Sequence, residues 1–197
     1  MASTIGAVRP VNIPARCRIF IVGLSVASIA DDAELARAAR LGSRAAFGRL
    51  YDRYFPMVHG ILLARVPQLE VDDLVQDVFL AAMRQLPALR DEGAFGGWLA
   101  MIARNRAHDY YRRSREWVEL PENLPASDHH SPDALAAMEA IRSLPEAYRE
   151  PLILRLVEGM SGDEIAARTG MTPASVRVNL HRGMKQLRQK LETEVRS

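Results

Sequence analysis

The stretch Val71–Met83, VDDLVQDVFLAAM, decides how the rest of the chain is read. Its apolar residues fall at 71, 74, 75, 78, 79 and 82, the i, i+3, i+4, i+7 spacing of one buried helix face. Asp73, Gln76, Asp77 and Leu80 are also three or four residues apart and share a second stripe on the other side. A solvated face usually mixes Lys with Glu; this one is acidic and amide-bearing and ends in a large apolar side chain. Two readings stay open at this point. The stripe is an ordinary wet helix face with one stray leucine, or a docking surface with Leu80 as anchor and the acids aimed at a partner's basic groups.

A chain of 197 residues holds one large domain or two small ones, each with its own core. Aromatics are few, and Ala, Leu and Arg are abundant, which favours an all-α fold. The single cysteine, Cys17, excludes an internal disulfide and a Cys-rich zinc site. Five histidines (59, 108, 129, 130 and 181) show no HExxH or comparable spacing, so neither a metal nor a cofactor is expected. Charge is segregated. Residues 104–115 balance to +4 and residues 165–191 to +6, so a net charge of +2 leaves −8 for the rest. Two basic patches on an otherwise acidic chain have the look of two nucleic-acid footprints.

Upstream of the Val71 stretch, Arg16 and Arg18 precede IFIVGLSVASIA, an apolar run too short to span a membrane. Residues 1–30 are read as a loosely ordered extension, with a signal-like segment or an overlong start as alternatives. Asp31–Leu41 reads as a helix opened by acids that suit its dipole and ended by Gly42. Arg44–Val66 reads as a long amphipathic helix with Phe47, Leu50, Tyr51, Tyr54, Val58, Ile61 and Leu62 on one stripe, kinked at Pro56 and closed by Pro67. Those aromatics are read as core.

Downstream, LPALRDEGAFGGW is read as a loop because of Pro87, Gly93, Gly96 and Gly97. Phe95, Trp98, Leu99 and Ile102 restart a helical stripe that runs on through IARNRAHDYYRRSRE. Its first half is apolar-faced and its second half basic, as expected of a helix packed at one end and lying along phosphates at the other. Asn105, Tyr110 and Tyr111 sit among the arginines, and amides and rings can bond or stack on exposed bases. The alternative is a solvated helix end with arginines snorkelling over tyrosines. Residues 116–132 turn acidic and proline-bearing and read as a linker between helical units at 31–115 and 133–197. In the second unit, Ser161 and Glu164 form a capping box, Gly170 supplies a tight turn, and Thr172 with Pro173 opens a longer helix. Val176, Leu180, Met184 and Leu187 form its buried seam. That is the helix-turn-helix layout, whose second helix enters the major groove.

Taken together, DDLVQDVFLAAM, FGGWLAMIARNRAHDYYRR, the acidic linker and LPEAYREPLILRLVEGMSGDEIAARTGMTPASVRVNLHRGMKQLRQKL resemble a bacterial sigma-70 family member of the small extracytoplasmic-function class. The resemblance covers about residues 33–192. It implies two helical domains, a region 2 bundle and a region 4 helix-turn-helix, in a promoter-specificity subunit of RNA polymerase without catalysis of its own. By motif, it implies that Asp73, Gln76, Asp77 and Leu80 dock on the beta-prime clamp helices, with the beta flap as a further polymerase contact. It implies that Trp98, Arg104, Asn105, Asp109, Tyr110, Arg112 and Arg113 hold the melted minus-ten element. A base there is expected to leave the stack for a protein pocket. Thr172, Ser175, Arg177, Asn179, His181, Arg182 and Lys185 then read the minus-thirty-five element in duplex form. The acidic linker is expected to thread the polymerase channel for nascent RNA, an anti-sigma factor to clasp the two units, and the site of action to be the cytoplasm. No small-molecule substrate is implied. The chain departs from the common family pattern at Val178-Asn179 and Gly183-Met184, and Gly183 weakens its helix by about 1 kcal/mol against Ala.

Two rivals are kept. A helix-turn-helix regulator that never touches polymerase has no use for the stripe at 73–80 or the basic helix at 104–115. An isoprenoid-synthase-like enzyme would hold Mg²⁺ on Asp72, Asp73 and Asp77, but its chemistry needs a second acid cluster, which the sequence lacks.

Overall fold

Ser43 opens the central helix of the first half: its side chain accepts the Ala46 N–H, satisfying a donor that the helix itself leaves free. From there Arg44–Leu63 runs unbroken through Pro56, burying Leu50, Met57, Val58, Ile61 and Leu62. The structure is a computed structural model that describes residues 27–116 and 132–194. All regular structure among the described residues is helical: α1 Ala27–Arg40, α2 Arg44–Leu63, α3 Val71–Gln85, α4 Phe95–Glu116, α5 Pro132–Arg142, α6 Glu146–Leu156, α7 Gly162–Thr169 and α8 Pro173–Glu194, with short 3-10 turns around α3. Of the expected extension over residues 1–30, residues 27–30 belong to α1, and of the expected linker over 116–132 the two end residues belong to α4 and α5; residues 1–26 and 117–131, including His129 and His130, lie outside the described residues.

Two boundaries differ from expectation, each for a physical reason. Helix α1 starts at Ala27, so Asp31 and Asp32 lie inside it and cannot serve its first turn. They act across the fold instead. Asp32 is buried, accepts the Tyr54 hydroxyl at 2.8 Å and pairs with Arg53, whose other arm reaches Asp31 at 2.6 Å. Burial first, and then the Asp32 carboxylate, push the Tyr54 phenol far up, so it stays a neutral donor. Gly96 and Gly97, expected in a loop, form the first turn of α4. A Cβ on Gly96 would sit 2.7 Å from the Arg168 carbonyl oxygen, and Gly97 lies against Gly170, so these glycines serve close approach of α4 to α7.

One continuous apolar core runs through both halves of the chain, from Leu50 and Ile61 on α2 to Leu99 on α4, Leu152 and Leu154 on α6 and Ile165 on α7. The halves therefore pack on one another. Gly60 faces Leu154 closely enough that a Cβ would stand 2.7 Å from Leu154 Cδ2. The Arg168 guanidinium crosses the seam to donate to the Arg53 carbonyl at 3.0 Å and lies 5.9 Å over the Tyr54 ring.

Candidate nucleic-acid and partner interface

Helix α3 divides its residues as the 3.6 period requires. Val71, Val75, Val78, Phe79 and Ala82 are buried, with Leu74 half-buried beside them. Asp73, Gln76 and Asp77 are exposed, and so is Leu80, at 49 %. Exposing a leucine next to two carboxylates gives the folded chain nothing, whereas a partner that covers it gains apolar burial and two charges. Met83, one turn further along the same stripe, is 51 % exposed, and Leu69 in the preceding turn 54 %. Sequence reading passed over both. Met83 was signalled by continuing the +3/+4 count beyond Leu80; Leu69 has no periodic signal.

Helix α4 packs through Leu99, Ala100, Ala103 and Ala107, all buried, and turns its second half outward. Asn105, Arg112 and Arg113 are exposed and Trp98 is half-buried 5.7 Å from the Phe95 ring. Asp109 pairs with Arg112 one turn on at 3.2 Å. Tyr110 and Tyr111 stand edge to face at 5.3 Å, and the Tyr111 hydroxyl donates to the Arg65 carbonyl at 2.7 Å, fixing its ring at the base of the basic patch. Met101, 59 % exposed, lies on the same face, an apolar contact the charge pattern had hidden. Arg104 differs from its neighbours. Its guanidinium turns inward, donating to Glu150 from Nη2 at 2.7 Å and from Nε at 3.2 Å, and to the Thr169 carbonyl at 3.4 Å.

The helix-turn-helix is built locally. Ser161 accepts the Glu164 N–H at 3.2 Å while Glu164 accepts the Ser161 N–H at 2.8 Å, closing the capping box of α7. Gly170 ends α7 at φ +74°, and Thr172 accepts the Ser175 N–H at 3.2 Å to open α8. The Thr172 hydroxyl also donates to Ser175 Oγ at 2.8 Å. Val176 and Leu187 are buried, and Leu180 and Met184 half-buried, so the seam forms. Thr172, Ser175, Arg177, His181, Arg182 and Lys185 are exposed and Asn179 is half-buried. Gly183 is buried, not a flaw in the helix: a Cβ there would stand 3.0 Å from Leu152 Cδ1 and 3.1 Å from Tyr148 Cβ. Its loss of helix propensity is the cost of letting α8 cross α6 closely. Among the described residues no group of three or more His, Cys, Asp and Glu side chains is placed to hold a metal, and no helix is long and apolar enough to cross a membrane.

An exposed acidic stripe, an outward basic helix and a helix-turn-helix thus stand in order along one chain. The sigma-70 region 2 family model matches residues 50–117, and the sigma-70 region 4 model matches residues 134–187. The chain belongs to the sigma-70 family. Its relatives place it in the extracytoplasmic-function class. The RNA polymerase sigma factor CarQ of Myxococcus xanthus is 33% identical over 168 residues, which cover 79% of this chain and 97% of CarQ. The extracytoplasmic-function sigma factor BldN of Streptomyces coelicolor is 31% identical over 176 residues, covering 83% of this chain and 67% of BldN. Among solved structures, CnrH in complex with the cytosolic domain of CnrY matches with a TM-score of 0.59 at 27% identity, covering 82% of this chain and 97% of that one. This chain is therefore an RNA polymerase sigma factor, which directs initiation and catalyses nothing itself. The region 2 match removes the simple regulator reading, and family membership removes the magnesium reading of DDLVQD.

Proposed function

We propose that this sigma factor docks on the beta-prime clamp helices of core polymerase through Asp73, Gln76, Asp77 and Leu80, with Met83 extending the contact. The observation that carries this reading is the outward stripe of α3, two carboxylates, an amide and an exposed leucine that the fold itself does not use. Asn105, Tyr110, Arg112 and Arg113, with Trp98 at the helix start, take the melted minus-ten strand. Arg177, Asn179, His181, Arg182 and Lys185 read the minus-thirty-five duplex. Thr172 and Ser175 sit at the N-terminus of α8, where their hydroxyls and the helix end suit a phosphate. A helix-turn-helix in duplex DNA and a basic helix on a single strand, held by one polymerase, account for both basic patches. The work is done in the cytoplasm, where polymerase and promoter DNA are found. CnrH is paired with the cytosolic domain of CnrY and the sigma factor RpoE of Bartonella quintana with the anti-sigma factor NepR, and these pairings support an anti-sigma factor for this chain as well.

Reversing charge at Asp73→Lys and Asp77→Lys is the test. Pull-down with core polymerase at low salt should lose the complex, while duplex binding by the folded double variant stays as in the parent chain. Undiminished assembly with polymerase would overturn the docking assignment.

A further inference from the structure

Val178 is an apolar side chain set in the middle of a basic helix face. It is 44 % exposed, although it lies on α8 only two residues from the buried Val176 and two from Leu180, which packs against the core. Two residues make about 200° of helix turn, so Val178 points away from the buried seam on both counts. The residues that share its stripe, Ala174 and Ser175 one turn before and His181 and Arg182 one turn after, are exposed as well. Its place is the centre of the outward face, not the margin of the core.

Nothing in the fold calls for a valine at that position. A branched Cβ lowers helix propensity against Ala, and an apolar side chain left in water gains no burial. Other properties of the residue suit a ligand. In a helix a valine has one strongly preferred χ1 rotamer, so its two methyl groups are held in place before anything binds. It stands in the second turn of α8, counted from Pro173, and the first turns of a recognition helix are those that meet base edges. Arg177, His181, Arg182 and Lys185 around it are exposed, and residues 165–191 hold no acid, which keeps the face against a polyanion. An apolar spot ringed by cations fits a polyanion that carries an apolar group. Base edges in the major groove present hydrogen-bonding atoms and one such group, the C5-methyl of thymine.

We propose that Val178 reads a thymine in the minus-thirty-five duplex by packing its methyl groups on the C5-methyl of that base, and so fixes one promoter position that the charged residues around it do not. This rests on reading α8 as the helix that enters the duplex. Arg177, Arg182 and Lys185 donate to acceptor atoms, which guanine offers side by side, and have no use for a methyl group. Valine has neither donor nor acceptor. Opposite any other base it displaces water from a polar base atom without replacing the lost hydrogen bond. The discrimination therefore has two parts, apolar burial at thymine and an unpaired polar group elsewhere.

The test uses the full chain bound to core polymerase and, as probe, a promoter-length duplex library randomised over the minus-thirty-five region. Sequencing of the bound duplexes should show thymine enriched at one position by the parent chain. That enrichment should vanish in Val178→Ser, which removes both methyl groups at an exposed site and should keep the parent's helical circular dichroism. On a selected duplex, deoxyuridine in place of that thymine should weaken binding by the parent about fourfold, the worth of one buried methyl group. Val178→Ser should bind the thymine and deoxyuridine duplexes alike. If other bases are selected but no thymine responds to Val178, or if the parent binds both duplexes equally, the thymine contact is overturned and the reading of α8 stands. A loss in Val178→Ser spread evenly over all sequences also overturns it, since the valine is then a general contact. If the parent selects no base at any position, the reading of α8 falls, and the proposal with it.

Discussion

Gly183 shows how a single residue can mislead when it is read alone. In sequence it is a weak point in the middle of a recognition helix. In the structure its missing side chain is filled by Leu152 and Tyr148 from α6. Gly183→Ala therefore sets two effects against each other. Helix propensity gains about 1 kcal/mol, while overpacking against a Tyr Cβ and a Leu Cγ, which have little room to move, costs ~1–3 kcal/mol. A net loss of the order of 1 kcal/mol is expected in urea unfolding; a more stable variant would show that α6 yields. Asp32 gives the same lesson. It was readable as a helix-start acid because local spacing is all that a sequence displays, and its actual partners, Arg53 and Tyr54, lie 21 and 22 positions away.

At the scale of elements the sequence is far more transparent, because caps and faces are local. The capping box at Ser161 and Glu164, the turn at Gly170 and the opening of α8 at Thr172-Pro173 all stand where their residue types place them. The α3 stripe was legible for the same reason: a period of 3.6 sorts side chains into two faces without any knowledge of the tertiary fold. Ser161→Ala should cost about 1 kcal/mol in thermal unfolding, and Ser161→Asp should restore it, since a carboxylate caps α7 as well as a hydroxyl does. If Ala and Asp are indistinguishable, the cap contributes nothing measurable. Helix α4 marks the limit of local reading. Its two glycines suggested a loop, because nothing in the sequence announces that another helix needs the space.

The packing of one half on the other belongs to the whole molecule and was not legible at all. It depends on pairs such as Arg104 with Glu150 and His59 with Glu158, separated by 46 and 99 positions. The second pair carries a pH dependence. His59 Nδ1 stands 2.7 Å from Glu158 Oε1 across the seam, its ring stacked on Phe55. Burial alone lowers the imidazole pKa, but the hydrogen bond to Glu158 and the carboxylates of Glu158 and Asp72 outweigh it and hold His59 above the usual histidine value. A raised folded-state pKa adds stability that is fully present below the unfolded value, ~6.5, and is lost as pH rises through the folded one. This pair's contribution to stability should therefore be greatest in mild acid and fade as pH climbs through that window, and His59→Gln should flatten the profile. Urea unfolding followed against pH checks this, and a stability that rises on alkalinisation through that window would contradict it.

Where α4 meets α7, main chain faces main chain: the Cβ position of Gly170 is 3.4 Å from the Gly97 Cα. Nothing interlocks there. At that contact no rotamer holds the halves together, so their cohesion falls to the apolar core they share and to the ion pairs at its margin.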